Sequence, residues 1–236
     1  MSTRRADDAA RDLLAAITDG EFPPRTELPP EQQLAERFGV SRLTVREGIR
    51  ALAGHGVLSV RHGKRSLVNP PEEWSPLDAE VLRARGRLSG DGLELPTQLV
   101  EARRAIEVEV ARLAATRATD EDLAVLAGTL TAMEESRDDP GPRFAEADLA
   151  FHAGVVAAAR NVYLAAAYRP LEQVLHVVRL ETSRDPQIRE HAMHWHRRIF
   201  DAIRAHDTEG AARQMLGHMQ QTLDDIAEKV GGSAFR

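Results

Sequence analysis

The chain contains no cysteine in its 236 residues. Disulfides and thiolate metal sites are therefore excluded, and any bound metal must be held by histidine and carboxylate. It also lacks an apolar run long enough to cross a bilayer. Met1-Ser-Thr-Arg-Arg-Ala-Asp-Asp8 is followed by no apolar stretch of the kind a secretory leader needs, so a cytoplasmic location is expected. Internal repeats and low-complexity segments are likewise missing. With 42% apolar residues over this length, the chain can build one large or two modest domains.

What is present begins with a helix, a tight turn and a second helix between Leu28 and Leu52. Leu34, Phe38, Val40 and Val45 are spaced to bury one shared apolar face, Gly39 supplies the permissive backbone that ends the first helix, and Ser41 stands where an N-cap opens the second. Leu43, Val45, Ile49 and Leu52 are expected on the buried stripe of that second helix. Arg42, Thr44, Arg46 and Arg50 are then left to face a DNA groove. Val57–Val60 and Ser66–Val68 read as two short strands around His62-Gly63-Lys64. From Arg37 to Arg65 seven basic residues face Glu47 alone, a local excess of +6 on a chain whose total is −6. A basic island on an acidic protein is what a localised phosphate-binding surface requires.

Three prolines in Asn69-Pro-Pro-Glu-Glu-Trp-Ser-Pro76 predict a boundary, dividing the chain into residues 1–75 and 76–236. Beyond it the pattern is helical. A short helix over Leu77–Arg85 is broken at Gly86–Gly92, and long helices follow over Leu95–Arg117, Asp120–Arg137, Pro142–Arg160, Val162–Ser183, Pro186–His206 and Thr208–Val230. Thr119-Asp-Glu-Asp122 has the pattern of a capping box, and Asp185-Pro186 places proline at a helix start. Stripes such as Leu99, Ile106, Val110 and Leu113 need a bundle to bury them.

Within that bundle, Asp148 and His152 are spaced i, i+4, which stacks a carboxylate and an imidazole on one helix face where both can reach one ion. His196 and His218 lie in the middle of two consecutive helices, one hairpin apart, and can face the same cavity. His55, His176, His191, His194 and His206 have no such pattern and read as core or surface filler.

The first of these halves resembles the winged helix-turn-helix domain of the GntR superfamily of bacterial transcription regulators. Leu28-Pro-Pro-Glu31, Leu34-Ala-Glu-Arg-Phe-Gly-Val-Ser-Arg42, Val45-Arg-Glu47 and Arg61-His-Gly-Lys64 carry the likeness. By that resemblance Arg42 and Arg46 contact bases and phosphates, and His62 and Gly63 form a wing tip reaching the minor groove. Gln32, Ser41, Thr44, Arg50 and Lys64 complete the candidate DNA-binding set. Gln32 stands where several FadR-like members carry arginine, and Leu43 where threonine is common, so the operator sequence does not carry over.

The second half resembles the FCD ligand-binding domain of the FadR subfamily, through Asp148-Leu-Ala-Phe-His152, the stretch from His196 to Met219, Glu101-Ala-Arg-Arg-Ala-Ile-Glu107 and Ala159-Arg-Asn161. That resemblance implies a divalent metal on Asp148, His152, His196 and His218, zinc by preference with nickel or manganese as alternatives. It also implies that Arg103 and Asn161 line an effector pocket. Arg179 and Arg184 are further candidates for that pocket. Trp195 replaces the glutamate that commonly precedes the histidine. The likenesses together span Asp7 to about Glu228.

The fold expected is mainly α, a winged helix-turn-helix followed by an all-helical antiparallel bundle. The function expected is a homodimeric regulator, most often a repressor in such families. A small carboxylate effector at the metal would control its binding to a palindromic double-stranded operator, with no membrane involved. Two alternatives remain: an acyl-CoA-responsive regulator without a functional metal, and a metal-dependent hydrolytic enzyme. No separate general base accompanies the quartet, and an enzyme gives the DNA-binding half no purpose.

Overall fold

The computed structural model describes residues 2–60, 65–89, 94–139 and 141–230. Among them the chain forms two compact units, divided between Leu95 and Pro96.

The N-terminal unit contains α1 (Ser2–Thr18), α2 (Glu31–Phe38), α3 (Arg42–Gly54), the strands β1 (Leu58–Ser59) and β2 (Leu67–Val68), and α4 (Ala79–Ser89). α1 has no counterpart in the sequence reading, although Ala9, Leu13, Ala16 and Ile17 recur at helical spacing and are buried. It packs along α3 at Gly48, where a Cβ would lie 3.1 Å from the Ala10 amide nitrogen, so a larger residue would force the helices apart. Gly39 ends α2 in the left-handed region at φ 65°, and Ser41 caps α3 by accepting the Thr44 N–H at 3.1 Å. β1 and β2 pair antiparallel with Leu58 opposite Val68 and Ser59 opposite Leu67. Both are shorter than the segments expected, and Leu67 also bridges Glu27.

The N-terminal unit is longer than the expected 1–75. The proline-rich segment does not release the chain: Trp74 is buried, its indole N–H donates to the Asn69 carbonyl at 2.9 Å, and Val81 and Ala84 of α4 join the same core. α4 also runs through Gly86, where a break was expected.

The C-terminal unit holds α5 (Glu94–Arg117, from Pro96 on), α6 (Asp120–Glu135), α7 (Pro142–Ala158), α8 (Val162–Thr182), α9 (Pro186–Arg204) and α10 (Thr208–Val230). Their boundaries follow from side-chain chemistry. Thr119 and Asp122 form a complete capping box on α6, and Asp185 accepts the Gln187 N–H at 2.8 Å ahead of Pro186 to start α9. One core runs through the bundle, with Val110, Ala114, Phe151, Val155, Tyr168, Ile199, Ile203, Met215 and Met219 all buried. α9 and α10 pack against each other with Gly217 against the Trp195 ring; a Cβ there would come within 2.3 Å of Trp195 Cη2.

Candidate functional site

On α3 the outward face is basic. Arg42, Arg46 and Arg50 are exposed, and Glu31 at the start of α2 gathers them. Arg46 donates to both Glu31 oxygens, from Nε at 2.9 Å and Nη2 at 2.7 Å, and Arg42 Nη2 lies 3.8 Å away. The Arg46 hydrogen bond holds the Glu31 carboxyl below its ordinary range, with the charges of Arg42 and Arg50 adding to it. Glu31 thus fixes the orientation of Arg46, a role that sequence reading gave to no residue. Ser41 and Thr44 are linked through their hydroxyls at 2.8 Å, and Gln32 donates to Glu36 on its own helix. His62, Gly63 and Lys64 lie outside the described residues. Leu43 corrects an expectation: it is 60% exposed, on the same side as the arginines rather than in the core. Only Val45, Ile49 and Leu52 of that expected stripe are buried, with Gly48 completing the inner face.

In the helical unit α7, α9 and α10 each deliver one imidazole to a common point. His196 Nε2 lies 3.1 Å from His152 Nε2 and 3.2 Å from His218 Nε2, and the third side of the triangle is 3.4 Å. All three rings are buried. Two of the rings have a neighbour for Nδ1 away from the triangle. Glu107 Oε2 sits 2.5 Å from His152 Nδ1, and Met133 Sδ sits 3.3 Å from His196 Nδ1. In the tautomer with its proton on Nδ1, each ring turns an Nε2 lone pair toward the centre of the triangle, the arrangement in which imidazoles can share one cation. Three nitrogens about 2.0–2.1 Å from one metal, at angles between octahedral and tetrahedral, stand about 2.8–3.4 Å apart. The triangle of His152, His196 and His218 fits that range.

Burial pushes His196 and His218 well below the usual imidazole range, against the opposing pull of Asp148 in the case of His196. Both are neutral, the form that ligates a metal. Burial works to raise the Glu107 carboxyl, but the Arg103 guanidinium and His152 overcome it and hold it well below the carboxylate range. Arg103 donates from Nε to Glu107 Oε1 at 2.6 Å, and its Nη2 lies 3.2 Å from His152 Nε2. Glu107, one turn beyond Arg103 on α5, thereby orients His152 from behind as carboxylates commonly do for metal-binding imidazoles. The i, i+4 spacing from Arg103 was the signal that could have revealed it.

Asp148 is buried next to the group but not within the set of mutually close donors, which is His152, His196 and His218. Its Oδ1 is 3.8 Å from His196 Nε2, while Oδ2 pairs with Arg179 Nε at 2.9 Å. Burial acts to raise this carboxyl, and Arg179 with the histidines brings it below its ordinary value. Beside the cluster opens a cavity of about 410 Å³ that Arg103, Arg179 and Arg184 help to line. Asn161 does not reach it. Its carboxamide oxygen accepts the Tyr163 and Leu164 N–H groups at 3.1 and 3.2 Å and caps α8, so the effector role expected of Asn161 is corrected to a structural one.

A capped recognition helix with a basic face, joined to a helical unit with a cavity beside a three-histidine centre, defines a ligand-sensing, DNA-reading class of protein. Comparison with known proteins specifies it. Residues 5–68 match the family described as bacterial regulatory proteins, gntR family, and residues 98–221 match the FCD domain. An HTH-type transcriptional regulator of Mycobacterium tuberculosis is 39% identical over 171 residues, covering 72% of this chain and 68% of that protein. The galactonate operon transcriptional repressor of Escherichia coli is 29% identical over 230 residues, 96% of this chain and all of that one. Among solved structures, a GntR protein of Streptococcus agalactiae aligns over 93% of this chain and 99% of its own, at 27% identity and a TM-score of 0.50. A Listeria monocytogenes protein, at 21% identity and a TM-score of 0.66 over 94% and 96%, shares the fold. The chain belongs to the GntR family of bacterial regulatory proteins, in the branch that carries an FCD domain. It is a DNA-binding transcription regulator with an effector-binding domain, and its family and relatives are regulators rather than enzymes. No helix among the described residues is long and apolar enough to cross a membrane.

Proposed function

We propose that this regulator is a metal-dependent, acid-responsive repressor. The observation that carries the reading is the triangle of buried Nε2 atoms at 3.1–3.4 Å, the spacing that three imidazole ligands of one ion would have. His152, His196 and His218 would hold a divalent ion, zinc by preference with nickel or manganese as alternatives. A small shift of Asp148 away from Arg179 would add a fourth ligand. The ion would supply positive charge beside the adjoining cavity, where a small organic acid would bind. Arg103 and Arg179 supply positive charge at that end, and Glu107 keeps the His152 lone pair aimed inward. Acid binding would change the affinity for a palindromic operator, read by a homodimer in the cytoplasm through Arg42, Arg46 and Arg50, with His62, Gly63 and Lys64 at the wing. The named relative that represses a galactonate operon supports the repressor reading and the acid class.

Two measurements on a DNA sequence selected from a random pool test this. Arg42→Ala and Arg46→Ala each weaken binding by about 1–3 kcal/mol at fixed salt with melting unchanged, as loss of base and phosphate contacts requires. His196→Ala empties the metal site, after which His218→Ala lowers metal content and stability little further, because residues serving one ion are coupled. Exposed His194 is the control. Stoichiometric metal in the His196→Ala, His218→Ala double variant would sink the metal assignment.

A further inference from the structure

The identity of the acid is open, and the cavity narrows it. Its two ends differ in chemistry. At the end nearest the histidines, Arg179 is 5% exposed with its Nε spent on Asp148, yet its Nη2 has no hydrogen-bond partner. One helical turn on, the Thr182 hydroxyl is also buried without a partner. Both groups belong to residues that line the cavity, and at i, i+3 on α8 they share a face. Buried donors left unpaired cost about 1–3 kcal/mol each, which a single carboxylate accepting from both, once the two side chains turn toward the cavity, recovers.

Beyond that end the walls are hydrocarbon: Leu99 and Val100 from α5, Leu175 and Val178 from α8, Ile188 from α9 and Ile226 from α10. The other charged lining residues are Glu181, Arg184, Asp185 and Asp225. Asp225 is further engaged by His191 Nδ1 at 2.9 Å and by the Gln221 carboxamide at 3.2 Å.

We infer that the cavity takes a monocarboxylic acid with a compact apolar body of about six to ten carbons. A body of that size suits a space toward the lower end of the roughly 300–1,000 Å³ typical of small-molecule sites. The carboxylate sits on Arg179 Nη2 and Thr182 Oγ1, and the body lies against the aliphatic walls. This rests on the acid-responsive reading above and specifies its ligand. A polyhydroxylated acid would leave hydroxyls unpaired against those walls, a two- or three-carbon acid would leave most of the space unfilled, and a dicarboxylate would place its second charge against hydrocarbon.

The test is calorimetric titration of the full-length, metal-loaded protein with saturated monocarboxylates from acetate to dodecanoate. The matching dicarboxylates and a six-carbon sugar acid run alongside. Affinity should rise about fourfold per methylene until the cavity is full and then fall. Thr182→Val should lower affinity for every monocarboxylate by about tenfold with melting and metal content unchanged, and Val178→Asn should flatten the dependence on chain length. Tightest binding by acetate, the sugar acid or a dicarboxylate, affinity indifferent to chain length, no binding by any acid, or no effect of Thr182→Val each overturns the inference. Operator binding is measured separately on the same samples. If the sugar acid or a dicarboxylate releases DNA where the monocarboxylates do not, the acid-responsive reading stands and this specification falls; if no acid alters DNA binding, both fall.

Discussion

Glu107 bears the most on the metal site of the residues missed in the sequence. It touches both Arg103 and His152, so a single change should separate two effects. Glu107→Gln removes the anion from a buried pair, which costs about 3–5 kcal/mol of stability, and frees the His152 ring, which lowers metal affinity about 10–100-fold. Replacing Arg103 and Glu107 together by methionine should restore most of the stability but not the metal affinity. Chelator competition alongside thermal melts reads both quantities, and recovery of both in the double variant would make Glu107 merely structural. That His152, His196 and His218 meet was legible because side chains that share one cavity recur at helical and hairpin spacings. Leu43 and Asn161 were misread for a common reason. A pattern shows which residue type sits where, but not whether a leucine at the edge of a stripe is covered by a neighbouring helix, or whether a carboxamide is already used as a cap.

At the scale of elements, nearly all the C-terminal helix boundaries were legible, because capping groups and prolines act locally. The missing α1 and the late division at Leu95 depend on packing between distant segments, and there local pattern is silent. The α9/α10 hairpin shows such packing at work. Trp195 and Gly217 each precede one of the clustered histidines, so their ring-over-glycine contact lies at the level where His196 and His218 meet. Gly217→Ala should drive the helices apart at that level, costing about 1–3 kcal/mol as overpacked sites do and lowering metal affinity. Adding Trp195→Phe should recover part of both, which a double-mutant cycle measures as a favourable coupling. Additive effects would show that the contact does not set the register.

For the whole molecule, buried neutral histidines make stability depend on pH. The folded-state pKa values of His196 and His218 lie well below the unfolded imidazole value, so the unfolded chain binds more protons as pH falls through about 6.5. Their contribution is complete above that value and is lost below it, by up to about 1.4 kcal/mol per pH unit for each ring. Asp148 and Glu107, also lowered, extend the loss through the carboxylate range. Melts of chelator-treated protein should be flat from pH 8 to 7 and fall steadily from pH 6.5 to 5, and an unchanging melt across that interval would refute the neutral assignment. The same burial has a kinetic side. With His152, His196 and His218 at 0–2% exposure on three different helices, a chelator too large for the adjoining cavity would reach an ion held there only when the bundle opens. Metal loss should therefore proceed at the rate of that opening, the same at tenfold different chelator concentrations. The ion a purified sample carries would then be a record of the metals present while the chain was folding, rather than of the buffer it was last stored in.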